Sequence, residues 1–395
     1  MKTALLLCAS HNDLGLIRSL RKLGYYIITT GNTPNLTGQI LCDEYIQADY
    51  SNKELILKIA RDRAVDAICQ CCNDFGVYTA SYVAEAIGLP GYDSYETTLL
   101  LHNKDKFKSF AKLHRIPGPR SESFLDQEDA AFYLHSVKYP IIVKPVDASA
   151  GKGILRANTY DEAIGAVNNA FAASKSKRIV IEPFIEGSQH GFCTFLINQR
   201  VVAHCSNNEY SFLNPYRVEI DTFPADNHVQ VSELIIKEIE KIASLLHLKD
   251  GIFHLQYIFD GKDIFIIEVM RRILGNMYHV PGNLLTGIDW EYWETRAKCG
   301  LSCSTFPNAV FQEGFFAYKA ILSDCPGVIQ SIDVLEKYKK YLCGSFLIHD
   351  TGYTIENNKS NPIGFLFFMF PSRKTMDSIL LENYSNDIIV MKEMP

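Results

Sequence analysis

At 395 residues the chain is too long for one ordinary core and fits two or three modules, and its 47% apolar and 21% charged residues are those of a globular protein. A formal charge of −6, with no basic run interleaved with aromatics, gives no electrostatic ground for nucleic acid or an anionic membrane as a partner. The opening MKTALLLCAS is apolar over too few residues to span a bilayer, and the 11 scattered cysteines read as buried, reduced thiols of a cytoplasmic protein.

The first hundred residues alternate. Thr3–Cys8 reads as a strand, and Asp13–Leu23 has helical spacing up to a stop at Gly24. Tyr25–Thr30 and Ala67–Cys72 read as strands, and Lys53–Arg63 and Phe75–Ile87 as helices. Strands alternating with helices predict a doubly wound parallel sheet. The loop after the first strand, SHNDLG, lacks the G-x-G-x-x-G spacing of a dinucleotide site.

A helix is predicted from Lys104 to about His114, then a second αβ unit: helix Gln127–Val137, strand Ile141–Lys144, helix Tyr160–Ala172, strand Ile179–Glu182. Two hairpins follow, one turned by Asn198-Gln199 and one by Asp260-Gly261, with the helix Val231–Leu246 between them. Beyond Phe306, short strands punctuated by Gly and Pro predict a small α+β module.

Three stretches carry chemistry. In YPIIVKPVDASAGKGI an apolar strand ends in Lys144 and opens into small residues, Ser149, Gly151 and Gly153 among them. Such a loop lets backbone N–H groups approach a phosphate, although an exposed turn has the same composition. In RIVIEPFIEGSQHGF a strand ends in Glu182, and the extended chain beyond it can hold a purine edge. Glu182 and the Pro183 carbonyl would accept from the exocyclic amine and the Ile185 N–H would donate; a hairpin with a solvated Glu is the alternative. In GKDIFIIEVMRRILGN a buried strand ends in Glu268, Arg271 and Arg272, which either pair with each other or face a charged ligand.

Taken in order, these pieces resemble the ATP-grasp carboxylate–amine ligases over most of the chain. NKDKFKSFAKLHRIPGP matches that family's linker helix, YPIIVKP its second nucleotide lysine, IEPFIEG its adenine segment and GIFHLQYIFDGKDIFIIEVMRR its metal-bearing hairpin. The resemblance implies an α/β and α+β architecture: an ATP-grasp fold with an N-terminal doubly wound domain over 1–103, an ATP-grasp domain over 104–305 with its lid at about 117–187, and a C-terminal module over 306–395. It implies that Lys104 and Lys144 contact the ATP phosphates under the 149–153 loop, and that Glu182, Pro183, Phe184 and Ile185 hold adenine. Gln189 falls where the family binds ribose with a glutamate. Glu268 and Gln256 would ligate Mg²⁺, with Mn²⁺ an alternative ion, and Arg272 and Lys144 would be catalytic.

One departure stands out: the family pattern E-x-N-x-R reads E-V-M-R-R, and the Met270 thioether is too soft to replace an oxygen ligand of Mg²⁺. The implied reaction activates a carboxylate as an acyl phosphate that an amine attacks; a nucleotide-binding protein with lost or weak turnover is the rival. The implied partners are small-molecule carboxylates and amines, with Ser10, Asn12, Asn73 and Asp74 as acceptor-site candidates and Arg217 and Arg271 as carboxylate binders. His254, on the Gln256 side of its strand, reads as a core histidine. Homodimers are common in such ligases.

Overall fold

The computed structural model describes all residues except 149–150, 324, 357–361, 383, 385–388 and 393–395. The chain opens with β1 (Lys2–Leu7), α1 (Leu14–Lys22), β2 (Tyr25–Gly31), β3 (Glu44–Gln47), α2 (Lys53–Asp62), β4 (Ala67–Cys69), α3 (Asp74–Ile87) and α4 (Tyr95–His102). The four strands form a parallel sheet in the order β3-β2-β1-β4. Both faces are covered, which is why β1 is apolar at every central position: Leu5 and Leu7 pack with α2 and α3, while Ala4 and Leu6 join the core that includes Leu16 and Leu20. Cys71 and Cys72, expected at the end of a strand, lie just beyond β4, and all 11 cysteines are free.

After α5 (Lys104–Leu113) comes a small sheet ordered β5-β8-β6-β7, made of β5 (Glu122–Phe124), β6 (Ile141–Pro145), β7 (Leu155–Ala157) and β8 (Ile179–Pro183). Helices α6 (Gln127–Tyr133) and α7 (Tyr160–Ala173) pack on it through Ala130, Ala163, Val167 and Ala170.

The largest sheet has eight strands, β13-β12-β9-β10-β11-β14-β18-β16. They are β9 (Ser188–Ile197), β10 (Arg200–Tyr210), β11 (Ile220–Phe223), β12 (Gly251–Phe259), β13 (Ile264–Met270), β14 (Phe315–Ile321), β16 (Leu342–Leu347) and β18 (Gly364–Phe370). Helices α8 (His228–Leu245), α9 (His279–Thr286), α10 (Trp290–Lys298), α11 (Glu336–Lys339) and α12 (Arg373–Asp377) complete the chain. The tail beyond residue 306 divides: β14, β16 and β18 extend this sheet, whereas β15 (Gly327–Ile332), β17 (Thr354–Ile355) and β19 (Ile389–Lys392) make a separate three-stranded sheet. No helix among the described residues is long and apolar enough to cross a membrane.

Alternation along the strands decides what each face of the large sheet does. Phe192, Phe253, Leu255, Tyr257 and Val269 point one way, against Phe107 of α5 and Ile235, Ile239 and Ile242 of α8. Each fully buried side chain of this size contributes about 1.5–3 kcal/mol, so this face anchors α5 rigidly. The opposite face starts apolar, with Cys193, Phe195, Cys205 and Ile252 in the core beside Trp290. Two residues further along the same strands it turns polar, and that polar end is where the charged residues gather.

Candidate nucleotide and metal site

Register builds the polar end directly. Asn207 on β10 lies opposite Gly191 on β9, Gly191 opposite Gln256 on β12, and Gln256 opposite Glu268 on β13. Directly opposed residues share a face, so one row crosses four strands. Gly191 has to be glycine here: a Cβ would fall 2.4 Å from Asn207 Oδ1 and 3.0 Å from Glu209 Oε1. Glu209, one alternation along from Asn207, is buried and receives Gln189 Nε2 at 2.6 Å and Gln256 Nε2 at 2.8 and 3.0 Å. Burial raises its pKa against the opposing amide hydrogen bonds, and the Glu268 charge adds to the rise.

Lys104 begins α5, and its Nζ meets Glu268 Oε1 at 2.9 Å and the Ala148 carbonyl at 3.1 Å. Burial works against its charge, but Glu268, with Asp74 and Glu182 adding to it, outweighs burial and holds its pKa above the ordinary lysine value. One turn later on the same helix, Lys108 Nζ lies 3.3 Å from Glu182 Oε1 and donates to the Ile266 carbonyl. Lys144 reaches the other oxygen of Glu182 at 2.7 Å. The antiparallel pairing of β6 with β8 sets Ile142 opposite Glu182, so Lys144 and Glu182 are diagonal neighbours on one face. Two lysines thus share one carboxylate that is 3% exposed. Burial would raise the Glu182 pKa, but Lys108 and Lys144 outweigh it and keep the group ionised; Lys108 is pushed down by burial to about 8.

Two ion-paired groups result, Lys104 with Glu268 and Lys144 with Glu182 and Lys108, and they are joined by α5, which carries both Lys104 and Lys108; Lys108 was not singled out from the sequence. Its signal was the four-residue spacing from Lys104, which puts both on one side of a helix. Glu182, expected to accept from an amine, is ion-paired with both lysines, and its buried Oε1 makes no hydrogen bond among the described residues. β8 ends at Pro183, which is exposed; Ile185 is half-buried and Phe184 is covered by Arg156 at 4.0 Å. Gly151 and Gly153 have φ of +74° and +73°, and a Cβ on Gly151 would lie 2.5 Å from the Tyr216 carbonyl. The loop therefore touches the 211–219 connection, and Tyr216 Oη accepts from the Arg156 N–H at 2.8 Å. Ser149 lies outside the described residues.

The three charges ending β13 do not pair with each other. Arg272 Nε meets Asp74 Oδ1 at 2.8 Å, and the same oxygen faces His102 Nδ1 at 3.1 Å. His102 Nε2 accepts the Arg271 N–H, so its proton is on Nδ1 and is donated to Asp74. Burial would raise the Asp74 pKa; Arg272 and His102 overcome it and hold the carboxyl well below its usual range. Arg271 is a structural residue, not a substrate ligand: it meets Asp93 at 2.9 Å and donates to the carbonyls of Lys249, Gly251 and Ile252. Among the acceptor candidates, Asn73 caps α3 through the Phe75 N–H, Ser10 binds Asp13, Asn12 accepts from Met277, and Asp74 is held by Arg272. Arg217 is half-buried, and its Nε has no partner among the described residues. His254 is fully buried edge-on to Tyr278, as a core histidine should be, but neither ring nitrogen has a hydrogen-bond partner among the described residues.

A hard divalent cation suits this donor set in part. Glu268 supplies a carboxylate and Gln256 an amide oxygen on the same face, but Met270, whose partner in register is His254, puts a thioether where a third oxygen would be needed.

A small lid-like sheet, a large antiparallel sheet and a lysine-bearing linker helix meeting at a carboxylate hairpin define an ATP-grasp fold, and solved structures of that fold match the whole chain. An L-amino acid ligase from Bacillus licheniformis superposes with a TM-score of 0.82 at 20% identity, covering 100% of this chain and 99% of its own. The biotin carboxylase domain of the Hydrogenobacter thermophilus 2-oxoglutarate carboxylase, in complex with MgADP, superposes at 0.77 with 19% identity over 99% and 91%. Within the class, residues 102–214 match the model of the phosphoribosylglycinamide synthetase ATP-grasp (A) domain. The phosphoribosylamine–glycine ligase of Pseudomonas aeruginosa is 35% identical over 189 residues, 46% of this chain and 41% of that enzyme. The alignment thus spans less than half the length of that curated relative.

Proposed function

We propose that the chain is an ATP-dependent carboxylate–amine ligase that makes an amide bond and releases ADP and phosphate. The observation that carries this reading is the pair of contacts in which Lys104 meets Glu268 and Lys144 meets Glu182, four residues from four distant segments. In the absence of ligand the lysines and carboxylates neutralise each other. With MgATP present, Lys104 and Lys144 would turn to phosphate oxygens and Glu268 with Gln256 would hold Mg²⁺ or Mn²⁺. A bound metal ion would neutralise charge on the phosphates being separated. Arg272, its Nε fixed by Asp74 and its Nη1 by the Ile273 carbonyl, keeps Nη2 for the transferring phosphoryl group. Glu182 and the backbone of residues 183–185 would hold adenine, and the 149–153 loop would exclude water from the acyl phosphate. The partners are small molecules, a carboxylate and an amine, and Arg217 is the remaining candidate for a substrate carboxylate. A cytoplasmic homodimer fits the same class.

The relatives act on different substrates, so the nucleotide half of the site is the better-supported part. A second reading has one observation in its favour: Met270 on the metal face suits a protein that binds nucleotide and turns it over weakly or not at all. Phosphate release with ATP and Mg²⁺, screened over pairs of carboxylates and amines, tests the ligase. Release dependent on one pair and abolished in Glu268→Ala supports it, and tight MgATP binding without release for any pair favours the second reading.

A further inference from the structure

Gln189 and Gln256 come from strands β9 and β12, and both stand where the resemblance puts metal or ribose ligands. Both turn their amide nitrogens onto one carboxylate, that of Glu209. The N–H contacts spread over both Glu209 oxygens, the pattern of an ionised carboxylate, which only accepts. That chemistry settles which branch of each amide is which: Nε2 faces Glu209, and Oε1 is turned away from it. Both glutamines are half-buried, and neither Oε1 is a buried atom lacking a partner, so both oxygens reach solvent. Glu209 is itself closed in, with Asn207 beside it and Gly191 leaving just enough room.

We propose that Glu209 is a positioning residue of the nucleotide and metal site. By holding the Nε2 groups of Gln189 and Gln256 it presents their two Oε1 atoms to the cleft, with the carboxylate charge set one layer behind them. Carboxylates at positions 189 and 256 would each have met Glu209 at hydrogen-bond distance, negative against negative. Amides at the front and a carboxylate at the back place the same negative charge near the cation without that repulsion. This inference rests on the nucleotide-binding reading.

Calorimetric binding of ADP, with Mg²⁺ and with chelator, tests it on the full chain. The wild type is measured first; if it binds no MgADP, the nucleotide reading fails and this inference with it. In Glu209→Gln the new amide must both accept and donate, which turns one glutamine oxygen inward. The Mg²⁺ concentration for half-maximal strengthening of ADP binding should rise about tenfold or more, with little change in melting temperature. Adding Gln256→Glu to that variant restores a carboxylate facing an amide and should recover most of the loss. A folded Glu209→Gln protein with the wild-type Mg²⁺ dependence, or a double variant no better than the single one, would overturn the proposal. If Glu209→Gln does not fold, Glu209→Asp keeps the charge but draws it back by one methylene. It should lose Mg²⁺ dependence in the same direction to a smaller extent, and no loss would overturn the proposal equally.

Discussion

Lys104 Nζ lies 2.9 Å from Glu268 Oε1, joining the first turn of α5 to the C-terminal half of β13. The helix is held by Phe107 and Phe110 against the large sheet, and the carboxylate by the strand, so neither partner is free to drift. Such a pair is a closed clasp until a ligand offers each group a better partner, phosphate for one and a metal ion for the other. Lys104→Met should therefore lower ATP-dependent phosphate release by about 10²–10³-fold, the scale on which removing one preorganised charge donor acts. Initial rates at saturating ATP would show it, and a wild-type rate in the variant would remove Lys104 from the site.

Glu182 between Lys108 and Lys144 gives a contrast in stability. Removing the carboxylate strands two buried ammonium groups, and Glu182→Ala should cost about 3–5 kcal/mol in urea unfolding. Lys108→Met should cost much less. The methionine fills a similar volume, and Lys144 at 2.7 Å still compensates the carboxylate. Equal losses in the two variants would mean that Lys108, not Lys144, carries the pairing.

What the sequence showed and what it hid follow the same physics. The hairpin Gly251–Phe259 and Ile264–Met270 was legible to the residue, because alternation and an Asp-Gly turn specify it locally. Helix α10 was not. In WEYWETRAK, Glu291 and Glu294 are buried, against any amphipathic pattern. Apart from Lys298, one turn on from Glu294, the partners lie on other elements: His279 and Arg18 for Glu291, Gln70 and the Ile252 N–H for Glu294. Glu209 was hidden for the same reason, since nothing in SNNEY indicates that two distant glutamines close on it. Lys144 and Glu268 were legible because each follows an apolar strand run, whereas Lys104, at the polar start of α5, was placed only by the family resemblance.

Asp74 separates positioning from binding. It opens α3, which packs on the N-terminal parallel sheet, yet holds Arg272 just beyond β13, so this pair ties that sheet to the large one. Asp74→Asn keeps the size and one acceptor but loses the charge that fixes the guanidinium. Turnover should fall by about 10²-fold, as for a misplacement near 1 Å, while the dissociation constant for MgADP changes little. A matching loss of nucleotide affinity would instead make Asp74 part of the nucleotide pocket.

His254 gives the pH test. Burial, with the nearby Arg272 charge adding to it, pushes its pKa down to about 3 from the ordinary imidazole value of 6.5. Between those values the unfolded chain binds a proton that the folded chain refuses, so stability rises with pH across the window and is lost as pH falls below 6.5. The limiting slope is about 1.4 kcal/mol per pH unit for this one group. Other buried groups act in the same range, so the informative quantity is the difference from His254→Phe, which keeps the ring against Tyr278 and cannot titrate. At pH 7.5 the two proteins define a baseline gap in urea unfolding. Below pH 6.5 the wild type should lose ground to the variant by about 1.4 kcal/mol for each further unit, until the folded histidine takes up its own proton near pH 3. A gap that stays constant from pH 7.5 to 4.5 would show that His254 reaches solvent and titrates normally in the folded protein.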